Sequence, residues 1–469
     1  MNRNARNEKK GVARLRTDHI YLGIVIGDHA VAMYLAHVDA SRHLLTLRQR
    51  VALMTLGRSC TPSIPQIRAA LQECWDGLGG ERIEYYECFL CLPPWATTRI
   101  EATESIPIRP ARCRLDRAFP RVSDADVLRA QEALCRHHTP PSRVVTRVLP
   151  LHYVLAGGRR VTDPRGEITP GFDLHAQLEL ADAGIARNLL DMLAAMRLRV
   201  DLMVSPQGAV DALLRGDEDS ADSAVIEIGQ RTTCLSFRQD GATIHVAQLP
   251  RGADEVLANT AERLRTDPHG LAACFEARRD WLLDATACGG KPLPLWPAPF
   301  NSALSVRQVH EALLREAGAH FESIGETLDA VRRERGLQPD RIFFVGDEPV
   351  VTDAVARVAS SLHAGRCQIL RSPWQRSGQE EVFTPGCTRM AGLLLLGALG
   401  TPAFQPFLSS YNRTPSDPAI RVLAEDGRVA WRRLATGGRT ARTRLAAGWR
   451  SRVVPSARRA ILRIMALFM

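Results

Sequence analysis

Residues 224–249 read AVIEIGQRTTCLSFRQDGATIHVAQL. The apolar run Ala224–Ile228 ends in Gly229, and two alternating runs follow it, Thr233–Arg238 and Thr243–Leu249. Short apolar or alternating runs bounded by turn residues are typical of strands. Asp240-Gly241 is a strong signal for a tight hairpin turn between the last two runs. The stretch therefore predicts three consecutive strands, with a glycine turn after the first.

The beginning of the chain repeats this plan. Ile20–Ile26 is an apolar run followed by a glycine, and Val31–Ala36 and Leu44–Val51 alternate as hairpin strands do. An acidic segment, Asp217–Asp222, separates the two similar halves. Strands that alternate with helices in two such halves predict an α/β protein whose lobes face a cleft.

The cleft is expected where apolar strands end in glycine. This happens at Gly27, at Gly229 and, after the predicted strand Arg341–Val345, at Gly346. Ligands of open α/β folds bind at the carboxyl ends of strands. We therefore expect any ligand near these three glycines.

Elsewhere, helical and strand patterns alternate along the chain. Apolar periodicity predicts helices over Ile64–Leu78, 124–138, Ile185–Arg197, Pro206–Leu214, most of Ala253–Asp284 and of Val306–Arg335, Val351–Leu362 and Thr388–Leu399. Further strands are predicted over Cys88–Leu92, Val144–Leu155, Asp173–Leu180 and Val200–Val204. Ser123 suits the N-cap of the second helix. No element is predicted between Pro93 and Pro120, where proline and arginine are frequent.

Positive charge is concentrated near the C-terminus. The formal net charge is +10, and residues 431–469 hold ten arginines without any Asp, Glu or Lys. The rest of the chain is therefore close to neutral. A local basic block indicates an anionic partner, which is either a nucleic acid or an anionic lipid surface.

The final residues predict an amphipathic helix over 453–469. Pro455 suits its first turn, and the helix then runs to Met469. At about 100° per residue, apolar and arginine side chains fall on opposite faces. The predicted membrane-binding residues are Arg458, Arg459, Ile461, Arg463, Ile464, Met465, Leu467 and Phe468.

Docking of this helix on an anionic membrane is the interpretation we favour. Each arginine near an anionic surface contributes about 1 kcal/mol, and each apolar side chain roughly 1.5–3 kcal/mol if fully buried. These amounts suit reversible docking rather than permanent insertion. Two alternatives stay open. The helix could pack on its own domain, or the tail could bind nucleic acid, for which Trp431 and Trp449 are the aromatic residues available for stacking.

Other features favour a soluble or peripheral protein in a reducing compartment. Residues 1–17 are predicted to be a disordered basic arm without the apolar core of a secretory signal. The longest apolar run, Ala391–Leu399, is too short to cross a bilayer. The eleven cysteines are scattered, and the single CxxC, Cys88 to Cys91, lies in an apolar run. This position predicts buried structural thiols rather than a redox or metal site.

Several motifs, taken in order, resemble the FtsA cell-division family of the actin-like superfamily. The motifs are Leu22-Gly-Ile-Val-Ile-Gly27 and Val225-Ile-Glu-Ile-Gly-Gln-Arg-Thr-Thr233 at the phosphate loops, Phe343-Phe-Val-Gly346 at the adenosine motif, Val122–Val127, Val148–Val154, Asp163–Gly166, Arg187–Leu189 and Ala391–Leu395. Their order and spacing hold from about residue 20 to residue 400. No single motif is specific, so the co-linear set carries the resemblance.

The resemblance implies an α/β fold of the actin-like (RNase H-like, duplicated) type. This fold is two-lobed, with a small inserted α/β domain and a C-terminal amphipathic helix. The implied parts are a disordered arm (1–17), a first lobe (18–86 plus 181–216), an inserted FtsA-type subdomain (87–180), a second lobe (222–250 plus 336–400), its small subdomain (251–335), an Arg-rich linker (401–452) and the membrane-binding helix (453–469).

The resemblance also implies a site for ATP. The candidate cofactor-binding residues are Gly23, Gly27, Glu227, Gly229, Thr232, Thr233, Gly252 and Gly346. No catalytic or directly metal-ligating residue is assigned. Mg²⁺ is expected only if ATP binds.

The loops depart from the family pattern. Val25 stands where the first loop has the Asp that holds the metal shell, and Cys234 where the second loop usually has Asp. Gln230 and Arg231 replace glycines, and such bulky side chains block close approach of backbone N–H groups to phosphate. We therefore expect a degenerate cleft with weak or absent ATPase activity.

The implied function is that of a peripheral membrane adaptor in bacterial cell division. It would tether polymers of the tubulin-like protein FtsZ to the cytoplasmic face of the inner membrane at the septum. The implied partners are FtsZ, anionic lipid and further copies of the chain in filaments, and no nucleic acid is expected. An active actin-like ATPase and a pilus or secretion assembly protein are the alternatives.

Overall fold

Two five-stranded sheets and one four-stranded sheet organise the computed structural model. The structure describes residues 20–38, 44–54, 61–79, 87–108, 121–214, 222–239, 242–277, 290, 304–346, 348–362, 366–370, 387–398 and 405–413. Its strands are β1 (Ile20–Ile26), β2 (Ala30–Val38), β3 (Leu44–Leu53), β4 (Glu87–Cys91), β5 (Thr97–Pro107), β6 (Arg143–Leu155), β7 (Arg160–Val161), β8 (Gly171–Asp182), β9 (Val200–Val204), β10 (Ser223–Ile228), β11 (Thr233–Gln239), β12 (Ala242–Leu249), β13 (Arg341–Gly346) and β14 (Cys367–Ile369). Its helices are α1 (Ile64–Leu78), α2 (Asp124–His138), α3 (Ala183–Ala195), α4 (Pro206–Leu213), α5 (Ala253–Arg263), α6 (Pro268–Ala277), α7 (Val306–Arg335), α8 (Pro349–Leu362), α9 (Cys387–Ala398) and α10 (Pro406–Arg413).

The first lobe and the second lobe share one sheet topology. The first sheet has the order β3-β2-β1-β4-β9 and the second the order β12-β11-β10-β13-β14. In each sheet, the central strand pairs antiparallel with the next strand in the chain and parallel with a strand on its other side. The duplicated two-lobed architecture predicted from the glycine-terminated strands is therefore confirmed.

Helices pack on the sheet of each lobe. In the second lobe, α5, α6, α7 and α8 pack on β10, β11 and β13 around residues such as Ile226, Leu235 and Phe344. In the first lobe, α9 packs on β1 and β2. The central strands β1 and β10 are almost fully buried, which explains their continuous apolar sequences.

A third sheet, in the order β5-β8-β6-β7, forms the inserted subdomain together with α2. Ser123 caps α2, because its hydroxyl accepts a hydrogen bond from the Asp126 N–H and its own backbone N–H donates to the Asp126 carboxylate. The expectation of no element between Pro93 and Pro120 is wrong over β5. This edge strand buries Ala102 and Ile106 on one side and exposes polar residues at the alternate positions, so its apolar signal is diluted.

Helices α4 and α9 cross with their backbones in contact. A Cβ on Gly392 of α9 would overlap the carbonyl oxygen of Ala209 in α4 and lie 2.6 Å from its carbon. On the other side of α9, Gly397 leaves the space that the Phe89 ring occupies. The glycines of α9 thus permit a close approach to both α4 and the first sheet.

The chain divides into two compact units, Met1–Leu408 and Ser409–Met469. Helix α10 begins within residues 401–452, where only a linker was predicted. The predicted arm 1–17 and the predicted membrane-binding helix 453–469 lie outside the described residues. Among the helices that the structure describes, none combines the length and the apolarity needed to cross a bilayer.

Candidate functional site: the cleft between the lobes

Two tight turns of the same geometry lie at the carboxyl ends of the central strands. After β1, the Gly27 N–H donates to the Ala30 carbonyl at 2.8 Å. After β10, the Gly229 N–H donates to the Thr232 carbonyl at 2.9 Å. Four-residue turns thus close both predicted phosphate loops. The side chain of Thr232 is partly exposed in the second turn.

The second turn is covered by the start of α5. The Ala253 and Asp254 N–H groups donate to the carbonyls of Gly229 and Gln230 at 2.9 and 2.8 Å. A Cβ on Gly252 would lie 2.5 Å from each of these carbonyl oxygens, so only glycine permits this approach. The N–H groups at a helix start can bind phosphate, but two of them are here engaged by the turn itself.

Thr233 is directed at helix α7. Its hydroxyl donates to the Arg251 carbonyl at 2.8 Å and lies 2.9 Å from His320 Nε2. Since the hydroxyl proton is used by Arg251, His320 must donate its Nε2 proton. Burial lowers the pKa of His320, which agrees with a neutral imidazole. Thr233 therefore stabilises the packing of β11 on α7.

Glu227 of β10 forms an ion pair with a residue of α9. Arg389 of α9 donates from Nε to Glu227 Oε1 at 2.5 Å, and the two side chains are 3% and 7% exposed for Arg389 and Glu227. A Cβ on Gly229 would lie 3.6 Å from Arg389 Nη2. The arginine therefore reaches the second turn from the helix that packs on the first lobe.

A second pair joins the first turn to α5. His29 Nε2 lies 3.2 Å from Asp254 Oδ2, and both side chains are partly exposed. The hydrogen bond to Asp254 raises the pKa of His29, although burial opposes the shift. Asp28 beside it also raises this pKa, and Arg231 lowers it. The protonated imidazole is thus the form that the cleft favours.

Gly23 and Gly346 fill packing positions. A Cβ on Gly23 would overlap Met390 Sδ and lie 3.2 Å from Leu394 Cδ2, so this glycine admits α9 onto β1. A Cβ on Gly346 would overlap Thr352 Oγ1 and lie 2.7 Å from the Ile228 carbonyl oxygen. Gly23 lies within β1 rather than in the turn, and Gly346 ends β13 at the edge where the cleft lies.

The structure also contains a buried charge cluster that the sequence did not predict. Arg99 Nη2 donates to Glu179 at 2.7 Å and to Asp211 at 3.0 Å, and Arg147 Nη2 donates to Glu179 at 2.9 Å. Burial opposes ionisation of Glu179, but the two arginines outweigh it and lower its pKa. The cluster joins the inserted subdomain to α4. Its members are far apart in sequence, so no local pattern indicated it.

Cys234, at the position where the FtsA resemblance would place a carboxylate, is a buried thiol. The residue lies in β11 and is 5% exposed. Burial raises its pKa to about 12, and the Glu227 charge adds to the shift. A protonated thiol offers no anionic oxygen to a hard cation.

The donor set of the cleft does not suit Mg²⁺. Val25 is an apolar residue buried in β1, Cys234 is a neutral thiol, and Glu227 is engaged by Arg389. Magnesium requires oxygen ligands, usually one or two carboxylates together with water and phosphate. Within the described ranges, no group of three or more His, Cys, Asp or Glu side chains could hold a metal ion.

Comparison with known proteins supports the resemblance read from the motifs. The chain is 25% identical over 174 residues to cell division protein FtsA of Bacillus subtilis (strain 168). This alignment covers 35% of the chain and 40% of that relative. It is 26% identical over 287 residues to FtsA of Pseudomonas aeruginosa. This alignment covers 59% of the chain and 57% of that relative. The chain thus spans about two-fifths to three-fifths of these relatives. No family model matches.

The solved structures show the fold. A chain of the PilM–PilN type IV pilus biogenesis complex superposes with a TM-score of 0.56 at 14% identity, over 81% of this chain and 98% of that chain. The fold is actin-like, and the curated sequence relatives are FtsA proteins. The expected resemblance and the expected actin-like fold are therefore confirmed, whereas the C-terminal amphipathic helix stays a prediction. The nucleotide-site residues stay predictions, and the membrane-binding residues lie outside the described part.

Proposed function

We propose that this protein is an FtsA-like peripheral membrane adaptor that tethers FtsZ polymers to the cytoplasmic membrane. The observation that carries the proposal is the similarity to Pseudomonas aeruginosa FtsA over 287 residues. Membrane docking is the second part of the proposed role. The ten arginines and the apolar stripe of residues 431–469 support it, because both favour binding to anionic lipid. The site of action is the inner face of the membrane at the division septum, where the chain also assembles into filaments.

The cleft serves as a fixed structural element, with weak or absent ATP turnover. Engaged N–H groups at α5 and the pairing of Glu227 with Arg389 support this part of the proposal. Purified protein is expected to release phosphate from ATP at the background rate. Turnover well above background that disappears in Gly229→Arg would overturn this part.

A role in pilus or secretion assembly is the second candidate. The fold likeness to a chain of the PilM–PilN complex favours it. Affinity capture with full-length protein as bait, followed by immunodetection of FtsZ from the same bacterium, separates the two roles. Recovery of FtsZ supports the division role. Its absence, with recovery of pilus-assembly proteins instead, supports the second candidate.

A further inference from the structure

The acidic side chains around the two turns already have basic neighbours. Glu227 is paired with Arg389 at 2.5 Å, and Asp254 with His29 at 3.2 Å. Asp28 is buried and acts electrostatically on His29. A divalent cation that binds these carboxylates would have to displace the basic groups. Such displacement is costly for Arg389, because its pair is almost fully removed from water.

The Arg389 side chain reaches from one lobe to the other. Its neighbour Met390 is buried against Gly23 of β1, and Gly392 holds α9 against α4. Helix α9 is thereby fixed to the first lobe. Glu227 belongs to β10, the central strand of the second lobe. The ion pair therefore connects the two lobes beside the Gly229 turn.

We infer that Arg389 takes the place of a divalent cation in this cleft. Its guanidinium neutralises the Glu227 carboxylate beside the second turn and joins the two lobes, so the chain takes no Mg²⁺ there. An arginine stays charged at every accessible pH and cannot dissociate from the chain. The lobes are thus held together by a permanent internal cation, where an exchangeable metal would make closure depend on ligand.

This inference rests on the proposed non-hydrolytic cleft and not on the proposed partner or membrane. The inference about Arg389 can therefore be wrong even if the protein captures FtsZ and binds vesicles. It can also be right if the protein does neither.

The test is the melting temperature of the full-length protein, freed of metal with EDTA, as MgCl₂ is added at constant ionic strength. The wild-type melting temperature is expected to stay unchanged through the millimolar range. Arg389→Ala leaves the Glu227 carboxylate buried beside an empty space. We expect a lower melting temperature that MgCl₂ partly restores. The double variant Glu227→Gln/Arg389→Ala lacks the carboxylate and should not respond to MgCl₂.

Arg159→Ala is the matched control, because its pair with Glu167 is exposed. It should melt close to wild type and be insensitive to MgCl₂. Stabilisation of the wild type by MgCl₂ beyond the ionic-strength control would overturn the inference. An Arg389→Ala variant that responds no more than the double variant would also overturn it. If Arg389→Ala does not fold, the wild-type titration still decides, since a flat response supports the inference.

Discussion

Gly392 of α9 lies against the main chain of Ala209 in α4, with no room for a side chain between them. A Cβ on residue 392 would overlap the Ala209 carbonyl oxygen and lie 2.6 Å from its carbon. Along the chain, helix α4 comes after β9 of the first sheet and before β10 of the second. Helix α9 comes after β14, which is the last described strand of the second sheet. The contact therefore fixes the position of two helices at the junction of the lobes.

Gly392→Ala is expected to destabilise the protein. The new methyl group meets backbone, which cannot move aside as a flexible side chain can. Overpacking of this kind typically costs about 1–3 kcal/mol or more of unfolding free energy. Urea unfolding followed by circular dichroism measures the change.

Gly325→Ala in α7 is the control, because a Cβ there meets nothing within 4 Å. In open space, the substitution should stabilise the helix by roughly 0.5–1 kcal/mol. Equal effects of the two substitutions would contradict the close crossing of α4 and α9.

Glu179→Gln should weaken the attachment of the inserted subdomain. The carboxylate is fully buried and forms ion pairs with both Arg99 and Arg147. Removing one partner of a buried ion pair typically costs about 3–5 kcal/mol, because the remaining charge stays buried. Limited proteolysis and chemical unfolding report the loss.

Glu167→Gln supplies the comparison within the same subdomain. Its partner Arg159 is 60% exposed, and Glu167 itself 34%. Exposed pairs contribute roughly 0–1 kcal/mol. A Glu179 variant as stable as this one would show that the buried cluster does not hold the subdomain.

The His29–Asp254 pair predicts a pH dependence of cleft stability. The pKa of His29 is raised in the folded protein, chiefly by its hydrogen bond to Asp254. The stabilisation is therefore fully present below the unfolded pKa of about 6.5 and is lost as the pH rises through the folded value. Melting temperatures from mildly acidic to alkaline pH should fall more for the wild type than for His29→Gln.

Asp254→Asn is expected to flatten the same profile, since it removes the partner that raises the pKa. Asp28 and Arg231 still act on the imidazole in Asp254→Asn, whereas His29→Gln leaves no imidazole for them to act on. Parallel profiles for the wild type and the two variants would show that the pair makes no pH-dependent contribution.

The sheets were predictable because their central strands are apolar and end in glycine. Ile20–Ile26 was located to the residue, and the predicted Ala224–Ile228 falls within β10, which begins one residue earlier. Strand β5 was not predicted, since mostly polar residues occupy the positions that alternate with its buried Ala102 and Ile106. Amphipathic edge strands of polar composition give little signal in a sequence.

The chemistry of the cleft was predictable only in part. The altered residues Val25 and Cys234 indicated an eroded site, and the structure buries both. The pairing of Glu227 with Arg389 was not predictable, because 162 residues separate them. For Gly23, the sequence did not distinguish a glycine of a phosphate loop from a glycine that packs against a helix. A glycine beside a loop and a glycine beneath a helix look alike in a sequence, and packing alone distinguishes them.

The most direct test of the adaptor role is co-flotation of FtsZ polymers with anionic phospholipid vesicles. Full-length protein should carry FtsZ into the vesicle fraction, with or without ATP, whereas a chain truncated after Thr401 should leave both proteins at the bottom of the gradient. Equal recovery of FtsZ with the full-length and truncated chains would contradict the account.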